Sequence, residues 1–278
     1  MSSAPTESFD IPLEVAEIYE ARFVPAIFAH WAPVTLAAAQ VEAADHLLDV
    51  ACGTGIVART ALARRTESEA TGLGTGTGAI TGVDLNPAML TVARRQAPEI
   101  EWRQGDVAAL PLADDSVDVA VSQMAAMFFP DQRAAMAEMA RVVRPGGRLA
   151  WVVPSSLSEQ PAYEPFVDAA ATHVGDDARS LLGAYWACGD RAAFTADLEA
   201  VGLERIAARA RAGIARFDSP ADFVATEIDA TPLVDRIDDG QRRRIVADVT
   251  ERLAAWVEPG KPFDIPLVGN VVSARVPG

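Results

Sequence analysis

The sequence lacks several things that would each point to a function. Cys52 and Cys188 are its only cysteines in 278 residues, too few for a disulfide framework, so a reducing cytoplasm is the expected compartment. Lys261 is the one lysine, and the other basic residues are arginines scattered along the chain rather than gathered in blocks. Against 24 basic side chains stand 39 acidic ones, a formal charge of −15. Such a surface repels phosphate backbones and anionic membranes, so nucleic acid is not expected as a partner. No apolar run reaches the roughly 18 residues that span a bilayer, so membrane insertion is not expected either. The opening MSSAPTESFD has neither the basic start nor the apolar stretch of a leader peptide. His30, His46 and His173 are the only histidines, no two at a metal-ligand spacing, so no structural or catalytic metal is expected.

What is present is apolar substance, half of all residues, enough for one large domain or a domain with a cap. From about 46 to 153, short β-branched runs alternate with helical periods. Segments 46–51, 79–84, 100–104, 117–122 and 148–153 predict strands; 56–65, 87–97 and 131–144 predict amphipathic helices. Near-continuous apolar strands alternating with helices imply a parallel, doubly wound α/β sheet. The division expected is an N-terminal helical lid over 1–42, punctuated at Pro25 and Pro33, and an α/β core over 43–153. A lid insertion follows over 154–189, then a core helix and strand over 190–215, the strand spanning 203–211. A second helical insertion over 216–262 opens on DSPADF, an N-cap with proline at the first helical position. A last strand lies within 263–278.

Two glycine-rich stretches compete for the role of ligand loop, DVACGTGIVA at 49–58 and TGLGTGTGAI at 71–80. A ligand loop leaves the carboxyl end of a strand and feeds a helix N-terminus. The first does so. The second lies between a helix and the strand that follows, at the opposite end of a parallel sheet, so Gly72, Gly74, Gly76 and Gly78 are read as a linker. Gly53-x-Gly55-x-x-Ala58 satisfies the dinucleotide fingerprint, and Asp84 supplies the acidic residue at the end of the second strand. Its distance from Gly53, 31 residues, exceeds the usual spacing of about 20, and the linker absorbs the excess. An NAD(P)-dependent oxidoreductase is therefore one reading. Asp49, four residues before Gly53, argues otherwise: an anion there repels a diphosphate and suits a cation. Asp106, after the third strand, is placed to accept from an adenine amino group. Carboxylates at three successive strand ends around a glycine turn fit a nucleoside with a sulfonium and a free amino-acid tail.

LLDVACGTG, GVDLNPAML, GDVAALPLADDSVDVAVSQ and MARVVRPGGRLAWV, in that order, resemble the successive motifs of class I S-adenosylmethionine-dependent methyltransferases. They are most similar to the small-molecule branch that includes the ubiquinone and menaquinone biosynthesis enzymes. The resemblance implies a Rossmann-like sheet, mostly parallel with a last antiparallel strand, under helical lid segments. It implies S-adenosyl-L-methionine as cofactor, with Asp49, Ala51, Gly53 and Gly55 around its methionine part. Asp84 would hold the ribose, Leu85 and Met89 would pack beside the adenosine, and Asp106 and Val107 would meet the adenine. Ser122 and Gln123 would line the site after the fourth strand, and Tyr19 would close over the cofactor. The RPGG at 144–147 is read as a turn. The chain has no Pro-Pro pair, so the Asn/Asp-Pro-Pro-aromatic motif of base-amino methyltransferases is absent.

The activity this implies is in-line transfer of a methyl group to O, N or C of a small, apolar acceptor. The same fold with a non-methylating activity is the near alternative. Phe128 and Phe129, just after the fourth strand, are the candidates for the acceptor pocket. Trp31, Trp151, Tyr163, Tyr185 and Trp186 are read as core. Cys52 is read as a packed small residue. His30 and His173 are the candidates for a general base, each secondary to a structural reading, and none is required because the donor is already activated. The partners expected are the small-molecule acceptor and, at most, a second copy of the chain.

Overall fold

The fold is that of a computed structural model, which describes residues 11–71, 78–229 and 231–278. The first described element is α1 (Leu13–Ile18), followed by a π-wound stretch, Tyr19–Phe28, and by α2 (Ala29–Ala38). Pro25 and Pro33 do not punctuate this rod: both lie inside it. Proline lacks the N–H that an α-helix needs and its ring crowds the carbonyl four residues back; the wider π winding carries the chain past Pro25.

Seven strands make one sheet in the order β3-β2-β1-β4-β5-β7-β6. They are β1 (Leu47–Val50), β2 (Ile80–Asp84), β3 (Glu101–Gln104), β4 (Val117–Gln123), β5 (Val143–Pro154), β6 (Glu204–Phe217) and β7 (Phe263–Arg275). The first five run parallel, and β7 is antiparallel to both β5 and β6. All of β1 and nearly all of β4 are buried, which is why their sequences read as unbroken apolar runs. Strand order reverses between β1 and β4, and open α/β sheets bind ligands outside the carboxyl ends of the strands at such a switch.

The crossovers are α3 (Ile56–Ala70), α4 (Pro87–Gln96) and α5 (Gln132–Val142). Asn86 caps α4 by accepting from the Ala88 N–H at 2.7 Å, with Pro87 at the first helical position. Asp131 caps α5 through the Ala134 N–H. Beyond β5 come α6 (Tyr163–Val174), α7 (Asp176–Gly183) and α8 (Arg191–Ala200), and between β6 and β7 come α9 (Pro220–Asp229) and α10 (Asp239–Arg252). The DSPADF reading holds, for Ser219 Oγ accepts from the Asp222 N–H and α9 starts at Pro220.

Two boundaries and one glycine differ from the sequence reading. Residues 144–147 enter β5 rather than forming a separate turn, with Gly146 at φ +75°. β6 continues to Phe217, which pairs with Phe263 of β7, and over its last residues Gly213, Ala215 and Phe217 alternate inward. Gly72, Gly74 and Gly76 lie outside the described residues. Gly78 packs rather than flexes: a Cβ there would stand 2.0 Å from the Asp45 carbonyl oxygen, at the end of the sheet away from the switch.

Trp31 fixes the N-terminal rod over the sheet. It is wholly buried, and a Cβ on Gly213 of β6 or Gly269 of β7 would come within 2.5 or 2.8 Å of its indole. No helix among the described residues is long and apolar enough to cross a membrane.

Candidate functional site

At the switch point the strand ends enclose a groove of about 230 Å³. Its floor is Val50, Ala51 and Gly53 at the end of β1, its flank Asp84 and Leu85 at the end of β2, with Asp106 and Val107 beyond β3. Gln123 and Met124 close the β4 side, Met89 lies along α4, and Tyr19 roofs the groove from the π-wound segment. Nine of the twelve residues expected at a cofactor site thus border one space. No Lys or Arg does so among the described residues, a donor set without the basic clamp that a diphosphate calls for.

The backbone bends where the groove needs it to. Gly53 has φ +55°, but so do Ala51 (+55°) and Met124 (+52°), in the left-handed region that costs a residue with a Cβ roughly 1 kcal/mol or more. Both bends follow directly on β1 and β4, the pair flanking the switch. Strain of this kind gathers at ligand sites.

Asp84 organises the turn. Its Oδ2 accepts from the Gly53 N–H at 2.7 Å and its Oδ1 from the Asn86 N–H at 2.9 Å, tying the β1 turn to the β2 turn across 31 residues of sequence. Asp106 is exposed and accepts from the Ala108 N–H. Asp49 sits one layer lower, buried, with Oδ2 accepting from the Ala58 N–H in the first turn of α3. Burial pushes its carboxyl up to about 7, with a further push from Asp84. Asp84 is also raised, again mainly by burial. Tyr19 is driven upward by burial and by the neighbouring Asp84. The result is an acidic, partly desolvated cradle, favourable to a cation.

Three expected site residues do not border the groove. Asp49 supports it from beneath. Gly55 (φ +86°) faces Trp102, where a Cβ would stand 2.1 Å from the ring, so its role is close packing of helix against sheet. Ser122 is buried in β4. Gln123 is shared: its amide donates to the Phe28 carbonyl at 3.0 Å and accepts from the Thr35 hydroxyl at 2.7 Å, holding the N-terminal rod over the switch. Cys52 is buried, and burial raises its thiol, the state of an unreactive packed residue. His30 is exposed and His173 pairs with Asp248 at 3.2 Å; neither borders the groove. Among the described residues no three His, Cys, Asp or Glu side chains are grouped to hold a metal.

A second chamber, about 270 Å³, adjoins the groove. Tyr19, Met89, Met124 and Phe128 line both. Phe129 borders only the groove. The chamber is walled by the N-terminal rod and by α6, α7 and α9, and Tyr163, Tyr185 and Trp186, read from sequence as core, line it. Glu227 also does, and nothing in its sequence neighbourhood announced it. Neither histidine borders the chamber.

The comparisons with known proteins agree with this geometry. Residues 48–151 match the methyltransferase domain family. A Mycobacterium tuberculosis protein is 32% identical over 128 residues, 44% of this chain and 42% of that one, so the chain spans less than half of that relative's length. The ubiquinone/menaquinone biosynthesis C-methyltransferase of Dinoroseobacter shibae is 32% identical over 181 residues, 59% of this chain and 68% of its own. Among solved structures, a phosphoethanolamine N-methyltransferase of Haemonchus contortus, determined with S-adenosylhomocysteine, superposes with a TM-score of 0.59 at 15% identity, covering 100% of this chain and 61% of that one. By the ordered motifs, the sheet order and a relative matched over more than two thirds of its length, the chain belongs to the class I S-adenosylmethionine-dependent methyltransferases, in the small-molecule branch that holds the quinone-biosynthesis enzymes.

Proposed function

We propose that this protein moves the methyl group of S-adenosyl-L-methionine to a small, mainly apolar acceptor. The observation that carries the reading is the pair of adjoining spaces that share a wall of Ile11, Tyr19, Met89, Met124 and Phe128, one with Asp84 and Asp106 at strand ends and the other a mainly apolar chamber among helices. When bound, the cofactor supplies an activated methyl on a positive sulfur. The residues present fit it: Asp84 offers carboxylate oxygens for ribose hydroxyls, Asp106 an acceptor for the adenine amino group, and Leu85 and Met89 apolar flanks. Asp49 supplies negative charge beneath the Ala51 to Gly53 bend. Tyr19 and the rod behind it exclude water from the junction, and the shared wall aligns the acceptor with the donor. Alignment and exclusion of water account for much of such a rate enhancement, roughly 7 kcal/mol in favourable intramolecular systems. We assign the lid role to 1–42, 154–189 and 216–262, and solution in the cytoplasm as the working place.

Calorimetric titration with S-adenosylmethionine and its demethylated product tests this. We expect saturable binding of both in the micromolar range. No heat at tens of micromolar, or binding of a nicotinamide dinucleotide instead, overturns it. Accumulation of demethylated cofactor with turnover separates transfer from a non-methylating activity of the same fold.

A further inference from the structure

The second chamber is built mostly of hydrocarbon, with Phe23, Ile27, Phe166, Val167 and Leu267 among its walls. Into this surface α9 sets Glu227, a carboxyl only 9% exposed. The Tyr163 hydroxyl donates to it at 3.1 Å, its one hydrogen-bond partner among the described residues. The Tyr163 ring in turn meets the indole of Trp186 edge-on, centroids 5.1 Å apart, and the Trp186 N–H is buried with no partner. A buried carboxyl with a single hydrogen bond and an orphaned N–H are both costly to leave under-satisfied. A chamber meant for a pure hydrocarbon gains nothing from them, whereas a ligand that completes their hydrogen bonds recovers the loss.

The chemistry of that ligand follows from the groups. Burial raises Glu227 to about 7, so near neutrality the carboxyl both accepts and, when protonated, donates. The charged residues at the chamber are Arg22 and Asp229, and they are engaged. Arg22 pairs with Asp222 at 2.9 Å and with Asp229 at 3.7 Å, and Asp229 also pairs with Arg242. No unpaired cation therefore lines the chamber among the described residues, which disfavours a carboxylate or phosphate ligand. An ammonium would satisfy Glu227 but leave the Trp186 N–H without an acceptor. An alcohol oxygen has the chemistry for either group, since it accepts from an indole N–H and donates to a carboxyl.

We infer that Glu227, Tyr163 and Trp186 form a hydroxyl-recognition cluster, so that the chamber selects an uncharged, mainly apolar molecule carrying an alcohol-type oxygen. That this molecule is the methyl acceptor rests on the proposed activity; its recognition does not. The cluster determines specificity and positions the ligand at the wall shared with the groove.

The test uses a series on one phenylpropyl frame, 3-phenyl-1-propanol, propylbenzene, 3-phenylpropylamine and 3-phenylpropionate, titrated into the full chain without cofactor. We expect the alcohol to bind at least about tenfold more tightly than the other three. Trp186→Phe, which keeps the ring contact and removes the N–H, should erase most of that preference and leave propylbenzene affinity within about twofold. Tyr163→Phe combined with Glu227→Met removes the paired polar groups together, so the double variant is expected to fold and to show the same loss. An alcohol preference unchanged in both variants, or tighter binding of the amine, overturns the inference. Titrating the same preparations with S-adenosylhomocysteine separates the two proposals. Cofactor binding without alcohol preference sinks the cluster and leaves the activity standing; alcohol preference without cofactor binding does the reverse.

Discussion

The two adjoining spaces are of similar size and opposite construction. The groove is made by consecutive strand ends, so each wall is a short motif in sequence: Gly53 after β1, Asp84 closing β2, Asp106 after β3, Gln123 closing β4. The chamber is made by segments that are far apart in the chain, with Tyr19, Tyr163 and Glu227 brought together by long-range packing of α6, α9 and the rod. Both linings are mainly apolar, but the groove is bent at strained backbone with Asp84 and Asp106 at strand ends, whereas the chamber takes its polar groups, Arg22, Glu227 and Asp229, from helices far apart in the chain. A topological switch dictates where the first must lie, whereas nothing but tertiary packing dictates the second. One fold can thus keep its donor site constant while the acceptor site varies.

The largest expected effect sharpens the distinction between glycines that shape the groove and those that only hold it up. Gly55→Ala puts a Cβ 2.1 Å from Trp102, whose ring is pinned by its own N–H donating to the Ala97 carbonyl at 2.9 Å, and does so at φ +86°. Overpacking and the left-handed backbone together should cost about 3 kcal/mol in urea unfolding. The folded fraction should still bind S-adenosylhomocysteine within about threefold of the parent. At Gly53 the same Cβ would stand 3.5 Å from the Tyr19 hydroxyl, in the groove itself, so Gly53→Ala should weaken binding more than it weakens the fold.

Next in size is the loss of the carboxylate that joins the β1 and β2 turns. Asp84→Ala should weaken binding of the demethylated cofactor about a hundredfold, roughly 2.7 kcal/mol, in calorimetry. Asp106→Ala, removing an exposed carboxylate with a single backbone partner, should cost less, about tenfold. If the two losses are equal, Asp84 is not the organiser that its bonds to Gly53 and Asn86 make it.

The same contrast explains what could be read in advance. Parallel strands buried on both faces leave period-free apolar runs, so β1, β2 and β4 were legible to within a residue or two. The glycine turn and the acids at strand ends were legible because the sheet fixes their direction. Asp49 and Gly55 stand in the right motif, but spacing alone does not say that they lie beneath the groove rather than on its wall. The helical rod through Pro25 ran against a local rule, overridden by π winding and by Trp31 on Gly213 and Gly269. Met124 gave no signal, since left-handed backbone at a methionine has no sequence mark. Glu227 and Tyr163 were hidden for a plainer reason: they stand 64 positions apart, and no local pattern records their meeting.

The smallest expected effect compares one carboxyl from each space. Asp49 beneath the groove and Glu227 in the chamber are both raised by burial to about 7, from ordinary values of 3.8 and 4.5. In each case the folded state holds its proton more tightly than the unfolded chain does. Stability from these groups is therefore complete below about pH 4 and is lost as pH climbs toward 7. Asp49→Asn and Glu227→Gln, which keep an acceptor oxygen for Ala58 N–H and for Tyr163, should each stabilise the protein at pH 8 relative to pH 5, on the order of 2 kcal/mol. Thermal unfolding of parent and variants across that range reads the difference. Adding the sulfonium cofactor should then split the pair. A cation above Asp49 favours its ionised form, so the Asp49→Asn advantage at pH 8 should vanish and parent affinity for the donor should weaken below pH 7. Glu227, facing an uncharged ligand across the shared wall, should keep its advantage unchanged. If both variants respond alike, the positive charge does not lie over Asp49, and the division of labour between the two spaces fails.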